Sequence, residues 1–221
     1  MRRSILFLAL LAACTSTPRA APEQARAGAA PQGRIQIAAA RKLPVGSRVT
    51  VEGHVSVPTG GYDAGFAIQD STGGIYIAAD TVPRFPGDTG IRARQRQRVR
   101  VTGTLVDNHG FLTVKPDTAV ASYGFVPEMR NVRTGEVGEA TESLWVMFDG
   151  RITAPVVDDR PYGWKIMIDD GSGPVQIFVP AHRRFDPAAI RVGERLGGTG
   201  LGAQYDSTYE IISYPMFSPR F

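Results

Sequence analysis

FAIQDSTGGIYI (residues 66 to 77) and IMIDDGSGPVQI (residues 166 to 177) decide the fold when set side by side. Ile68, Asp70, Gly73 and Ile77 recur as Ile168, Asp170, Gly173 and Ile177, an offset of 100. Tyr62 recurs as Tyr162 at the same offset, and Arg84 with Phe85 recurs as Arg184 with Phe185. VTVEGHV (49 to 55) matches VMFDGRI (146 to 152) at an offset of 97, as Arg98, Thr102 and Gly103 match Arg195, Thr199 and Gly200. Three extra residues between the first two strands of the second copy, and three fewer before its fourth, reconcile the two offsets. Length changes confined to loops are what a duplicated domain shows.

Each copy reads as five strands. In the first, Val49, Val51, Gly53 and Val55 alternate with polar neighbours, then Phe66 and Ile68 alternate with Ala67 and Gln69. Asp-Ser-Thr-Gly-Gly turns the chain into Ile75, Tyr76 and Ile77. After a Pro-containing connection, Val99, Val101 and Gly103 alternate with Arg98, Arg100 and Thr102, and Asp107 to Gly110 turns the chain into residues 111 to 114. Period two with polar partners means one buried and one wet face. Closing five such strands into a small barrel hides the edges and buries the apolar face.

Strand, Gly, loop, strand, Asp-x-x-Gly, strand, long connection, then a Val-rich strand ending in Gly resembles the OB-fold domains of the anticodon-binding and helicase-wedge type. The resemblance covers about 50 to 105 and 146 to 202. It implies an all-β protein of two tandem five-stranded OB-type barrels, residues 34 to 125 and 126 to 221. It also implies that strands two and three, with the loops joining strands one to two and four to five, form a face for oligonucleotides or oligosaccharides.

Alternation nominates residues for that face. Ile75 and Ile77 inward put Tyr76 outward; Val175, Ile177 and Val179 inward put Gln176 and Phe178 outward, with Lys165 and Met167 flanking Phe178. A stacked base contributes about 1 to 3 kcal/mol on such an aromatic, although single exposed aromatics also occur without a ligand. IRARQRQRVRV (91 to 101) places Arg92, Arg94, Arg96, Arg98 and Arg100 at every second position. In extended backbone all five project to one side, about 7 Å apart. One reading is a solvated outer strand whose charges block edge pairing; the other is a contact surface for a polyanion, meaning nucleic acid, lipid headgroup or acidic glycan.

The chain begins MRRSILFLALLAAC. Arg2 and Arg3 before an apolar run from 5 to 13 have the layout of a secretory signal, and the run falls short of the about 20 residues a membrane helix needs. Leu11, Ala12, Ala13 and Cys14 resemble the lipobox of bacterial lipoproteins, which implies that Cys14 is acylated and becomes the N-terminus. Cys14 is the only cysteine, so an internal disulfide is excluded. Residues 14 to 33, rich in Ala, Pro, Gly and Thr, read as a disordered tether. The expected location is the cell envelope, and Thr15 after the cysteine resembles the outer-membrane sorting pattern of a Gram-negative bacterium.

The precursor carries a net charge of +4. Residues 34 to 125 hold 11 basic and 7 acidic side chains, and residues 126 to 221 hold 10 and 13, so electrostatic steering is local to the first half. His54, His109 and His182 have no metal-ligand spacing, and no HExxH, CxxC, G-x-S-x-G or P-loop motif occurs. Asp70 and Asp170 hold equivalent places before a turn glycine and read as turn-fixing carboxylates. Phe85 and Phe185 read as caps on the open end of each barrel, with Arg84 and Arg184 at the rim.

These readings describe a membrane-tethered, non-enzymatic binding module without cofactor or metal. Its candidate ligands are single-stranded nucleic acid or an acidic glycan. The rivals are a structural lipoprotein contacting an envelope protein and a secreted nuclease or hydrolase.

Overall fold

A computed structural model describes residues 33 to 78 and 93 to 220, the side chains of 215 to 220 excepted. The signal segment, Cys14, the tether up to 32, Arg84 with Phe85, and Arg92 lie outside the described residues.

The first half contains β1 (Arg48–Val57), β2 (Phe66–Gln69), β3 (Gly74–Ile77), β4 (Gln97–Asn108) and β5 (Phe111–Tyr123), preceded by a short helix α1 (Ile37–Ala40). They form a closed barrel in the order β1-β2-β3-β5-β4. The β3 to β5 contact is parallel and the others antiparallel. This five-stranded closure is the OB arrangement. Period-two alternation fills it with Val49, Val51, Val55, Phe66, Ile68, Ile75, Ile77, Val99 and Val101, all buried, and Ile37 of α1 joins them.

The second half contains β6 (Arg130–Asn131), β7 (Trp145–Ile152), β8 (Val157–Asp159), β9 (Gly163–Asp169), β10 (Pro174–Pro180), β11 (Arg195–Tyr205) and β12 (Thr208–Arg220). Their order is β6-β7-β11-β12-β10-β9-β8, with β7 also pairing β9 through Arg151 with Asp169 and Ile152 with Ile168. Pairings around β7, β9, β10, β12 and β11 therefore repeat those of the first five strands, again with one parallel contact, β10 to β12. A separate core of Val146, Phe148, Ile166, Ile168, Val175, Ile177, Leu196 and Ile211 lies within it. Phe185 packs against this core with its ring 5.2 Å from that of Trp164, while Arg184 is exposed. The two terminal strands, β6 and β8, had no counterpart in the sequence reading; β8 forms in the lengthened loop.

Asp70 and Asp170 hold their turns as their composition suggests. Asp70 Oδ1 accepts from the Thr72 N–H at 2.7 Å and the Gly73 N–H at 3.2 Å, and Asp70 Oδ2 from the Ile37 N–H at 3.0 Å. Asp170 accepts from the Ser172 N–H at 2.9 Å and the Thr134 N–H at 3.4 Å. Hydrogen bonds from Ser172 and Thr134 hold the Asp170 carboxyl far below the usual range. Ile37 and Thr134 are 97 residues apart, so the backbone N–H that reaches each turn carboxylate from the preceding segment recurs as well.

Outward-facing residues of the two sheets make a third apolar cluster. Val57, Ala67, Tyr76 and Phe111 meet Trp145, Phe178, Leu201, Ala203 and Ile212. A register shift in β1 between Val55 and Val57 turns Val57 out of the first core and into this contact. The linker between the sheets docks on β2 and β3. Gln69 donates to the Glu128 carbonyl at 3.0 Å and accepts the Trp145 N–H at 3.1 Å. Arg41 reaches Glu142 at 2.9 Å and Glu139 at 2.5 Å, and the Glu142 carboxylate is fully buried. Burial pushes the Glu142 carboxyl up against the opposing pull of Arg41. Arg183 donates to the carbonyls of Gly60 at 3.1 Å and Gly61 at 2.6 Å.

Candidate functional site

The loops and outer faces that alternation leaves on one side of β9 and β10 border a cleft of about 500 Å³ between the two sheets. Its floor is Lys165 of β9, Gln176 and Phe178 of β10, Ala203 of β11, and Glu210 and Ile212 of β12. The end of β8 contributes Asp159, the turn after it Tyr162, and the end of β11 Tyr205. The opposite wall comes from the first barrel: Tyr62 from the β1 to β2 loop, and Asn108, His109 and Phe111 at the β4 to β5 turn.

The rim is aromatic and open. Tyr162 is 73% exposed and Tyr205 56% exposed. His109 lies against Tyr205, ring centroids 5.1 Å apart at 20°. His109 and Asp206, equivalent at the 97 offset, touch through Nδ1 and Oδ1 at 3.1 Å, so the two hairpin tips brace one another. The floor carries paired polar groups: Lys165 with Asp159 at 2.8 Å, and the Gln176 amide donating to Glu210 at 2.5 Å. Burial pushes the Glu210 carboxyl upward and raises the Tyr62 phenol to about 12.

Lys165 and Phe178, nominated by alternation, are cross-strand partners here, and both line the cleft. Phe178 is not freely exposed, however. It is 8% exposed because the first barrel covers most of its ring. Tyr76 requires a larger correction. It points out of its own barrel, opposite to Ile75 and Ile77, yet it is 3% exposed. The second sheet covers it, its hydroxyl donates to Asp63, and burial raises its phenol well above the usual range. An outward residue meets solvent only when no other unit packs there.

The arginine row is corrected in its geometry. Among the described residues of the row, only Arg98 and Arg100 lie in a strand, because β4 starts at Gln97. Residues 94 to 97 form a turn in which the Gln97 N–H bonds the Arg94 carbonyl at 3.3 Å and the Gln97 amide oxygen accepts the Arg94 N–H at 2.8 Å. Arg96 takes a φ of +66° in that turn. Arg98 and Arg100 both pair with Glu52, at 2.7 Å for Arg100. Arg94 and Arg96 are exposed and make no ion pair among the described residues. Arg96, with Arg98, lines a shallow depression bordered by His54, Tyr123, Gly124, Phe125 and Val126. The His54 ring stacks on Phe125 at 3.5 Å, and Nδ1 of His54 accepts the Phe125 N–H at 3.2 Å. Partial burial and then Arg98 lower the His54 pKa, which favours the neutral ring.

Tyr162, Tyr205, His109 and Glu210 were not nominated from sequence. A usable signal existed for three of them, since Tyr62 and Tyr162 repeat and the turns holding His109 and Tyr205 join strands four and five of each copy. No signal marked Glu210, whose position on the cleft floor depends on the parallel pairing of β10 with β12. Among the described residues, no group of three or more His, Cys, Asp or Glu side chains is placed to hold a metal ion.

No family model and no curated protein matches the chain. Among solved structures it is similar to a murine DNA binding protein bound with double-stranded DNA (TM-score 0.39, 12% identity, 78% of this chain and 96% of that one). It is also similar to the Ifi202 HINa domain in complex with 20-base-pair double-stranded DNA (0.36, 10%, 80% and 97%). A third likeness is to a deletion mutant of the single-stranded DNA binding protein from Thermus aquaticus (0.30, 10%, 81% and 97%). Likenesses this slight carry no ligand across, and the OB reading of the first barrel rests on its strand order.

Proposed function

We propose that the chain is an exported, lipid-anchored, non-enzymatic binding module of two OB-type barrels, and that it holds an oligosaccharide in the cleft over β9 and β10. The observation that carries this reading is the cleft's composition. Exposed tyrosine rings on the rim suit the C–H faces of sugar rings, and the amide and carboxylate of Gln176 and Glu210 on the floor suit hydroxyl groups. A phosphate chain would face two carboxylates, Asp159 and Glu210, with one lysine that is already paired. This charge balance favours a weakly charged glycan over an oligonucleotide in the cleft. The ring of pairings through β7, β9, β10, β12 and β11 supports the second sheet as a barrel of the same type. The lipobox-like sequence ending at Cys14 supports the anchor, and with it an envelope location.

The test is calorimetric titration of the protein with neutral and acidic oligosaccharides and with single-stranded oligonucleotides, repeated on Tyr162→Ala. Saccharide binding that weakens in the variant is the expected outcome. Binding of oligonucleotides alone, or saccharide binding unchanged in Tyr162→Ala, would overturn it.

A further inference from the structure

The end of the β4–β5 hairpin opposite to its cleft-lining turn presents a second surface. Arg98 and Arg100 project from the outer face of β4, and Val120, the cross-strand partner of Arg100, stands beside them at 66% exposure. The β5 strand ends at Tyr123, 86% exposed, and Phe125 follows at 62%. Arg94 and Arg96 complete the border on the adjoining turn, which is fixed to this edge by the Gly124 N–H donating to the Arg96 carbonyl at 2.8 Å. Charge and exposed apolar surface are thus interleaved on one patch, a combination that suits the boundary between headgroups and acyl chains.

Two further observations identify the occupant. Arg34 pairs with Glu52 at 2.7 Å, the same carboxylate that holds Arg98 and Arg100. Three arginines on this face, Arg34, Arg98 and Arg100, therefore share one carboxylate, and Arg94 and Arg96 beside them make no ion pair among the described residues. Partial burial pulls Glu52 upward, but the hydrogen bonds from Arg100 and Arg34 hold it below the usual carboxylate range. Arg34 also lies at the N-terminal edge of the described residues, where the chain coming from Cys14 joins them, and the next residue is tied down by the Ile35 N–H on the Thr50 carbonyl at 2.9 Å. The chain from Cys14 thus reaches the described residues at the basic patch.

We propose that this face, bearing Arg94, Arg96, Arg98, Tyr123 and Phe125, docks on the anionic phospholipid leaflet in which the chain is anchored. The arginines meet lipid phosphates and the two aromatic rings enter the headgroup layer, leaving the cleft turned away from the membrane. The orientation rests on the lipid-anchor reading of Cys14; the lipid affinity of the face does not. A single lipid group and a basic patch together give firmer attachment than either alone.

Flotation of the full chain carrying Cys14→Ser with phosphatidylglycerol vesicles and with phosphatidylcholine vesicles tests the proposal. The neutral vesicles report any partitioning of the apolar segment from 5 to 13. Binding to phosphatidylglycerol should exceed that background and be lost at 1 M salt, where the screening length falls to about 3 Å. Arg94→Gln with Arg96→Gln should lower it by about 30-fold, the effect of two charges near an anionic surface. Arg94→Lys with Arg96→Lys should retain it, which separates charge from folding. Equal binding to both vesicle types, or an unaffected Gln variant, would overturn the proposal. So would arginine-dependent binding of a single-stranded oligonucleotide without binding to phosphatidylglycerol, which would make the face a nucleic-acid surface. Mass measurement of Cys14 in membrane-derived protein reports the anchor separately, since an unmodified Cys14 would remove the orientation and leave the vesicle result standing.

Discussion

Strands β2 and β3 and their counterparts β9 and β10 share a repeated sequence and the same inward and outward alternation, yet they end in opposite circumstances. The outer face of β2 and β3 is closed by the linker and the second sheet, with Tyr76 sealed beneath them. The outer face of β9 and β10 opens onto a cleft walled by the loops of the first barrel. Position 74 is Gly because the Ser143 carbonyl lies where a Cβ would be; position 174, its counterpart, is an exposed Pro. The face equivalent to the cleft floor of one half is, in the other, a socket for its neighbour. Of the two equivalent faces, one holds the pair together and the other stays open over a cleft.

The comparison breaks most visibly at Tyr76. Tyr76→Ala removes a buried ring and the Asp63 partner, so the expected loss is about 3 to 5 kcal/mol in urea unfolding. Its counterpart substitution Gln176→Ala should cost far less stability and weaken ligand binding instead. A Tyr76→Ala protein of unchanged stability that no longer binds saccharide would return Tyr76 to the ligand face.

Position 74 sharpens the same contrast. Gly74→Ala drives a methyl group into the linker backbone and should destabilise by about 1 to 3 kcal/mol, whereas Pro174→Ala should be close to neutral. Thermal unfolding of the two variants side by side reads the difference, and equal melting temperatures would show that the linker does not dock on β3.

On the open face, Tyr205→Ala removes a rim ring that is more than half exposed. The variant should keep its melting temperature and lose about tenfold in saccharide affinity, at the lower end of what one stacking ring contributes. Saccharide affinity equal to that of the parent would move the ligand off this rim.

The smallest effect is on pH dependence. Glu210 is buried on the cleft floor and its pKa is raised above the ordinary 4.5, so the folded protein binds a proton that the unfolded chain has released between those two values. Stability from this group is therefore lost as pH rises from 4.5 through the raised value and regained on acidification. Glu210→Gln, which keeps the contact with Gln176, should flatten that part of the melting profile. A profile unchanged by the substitution would mean that water reaches Glu210 and removes the cause of the shift.

Much of this was readable in the chain. The strands of the first barrel appear where Val49, Val51, Val55, Ile68, Ile75, Val99 and Val101 alternate, because a half-buried strand records its burial at period two. The turn role of Asp70 and Asp170 was legible because a short carboxylate followed by Gly has a local hydrogen-bonding solution. The arginine row was misread in shape. Period two does not continue through residues 94 to 97, where the Gln97 amide oxygen accepting the Arg94 N–H and a left-handed Arg96 make a turn instead.

The chain encodes local facts: which residues alternate, where turns fall, which face of each strand points into its own sheet, and that the pattern occurs twice. Which outward face meets water was decided only by the tertiary structure. Tyr76 and Phe178 obey the same rule within their sheets, and both lie against the other sheet through contacts between residues about one hundred positions apart. A strand encodes the side on which its neighbours pack. It carries no record of a second unit docking on its other side, because that contact is made by the shapes of two assembled surfaces.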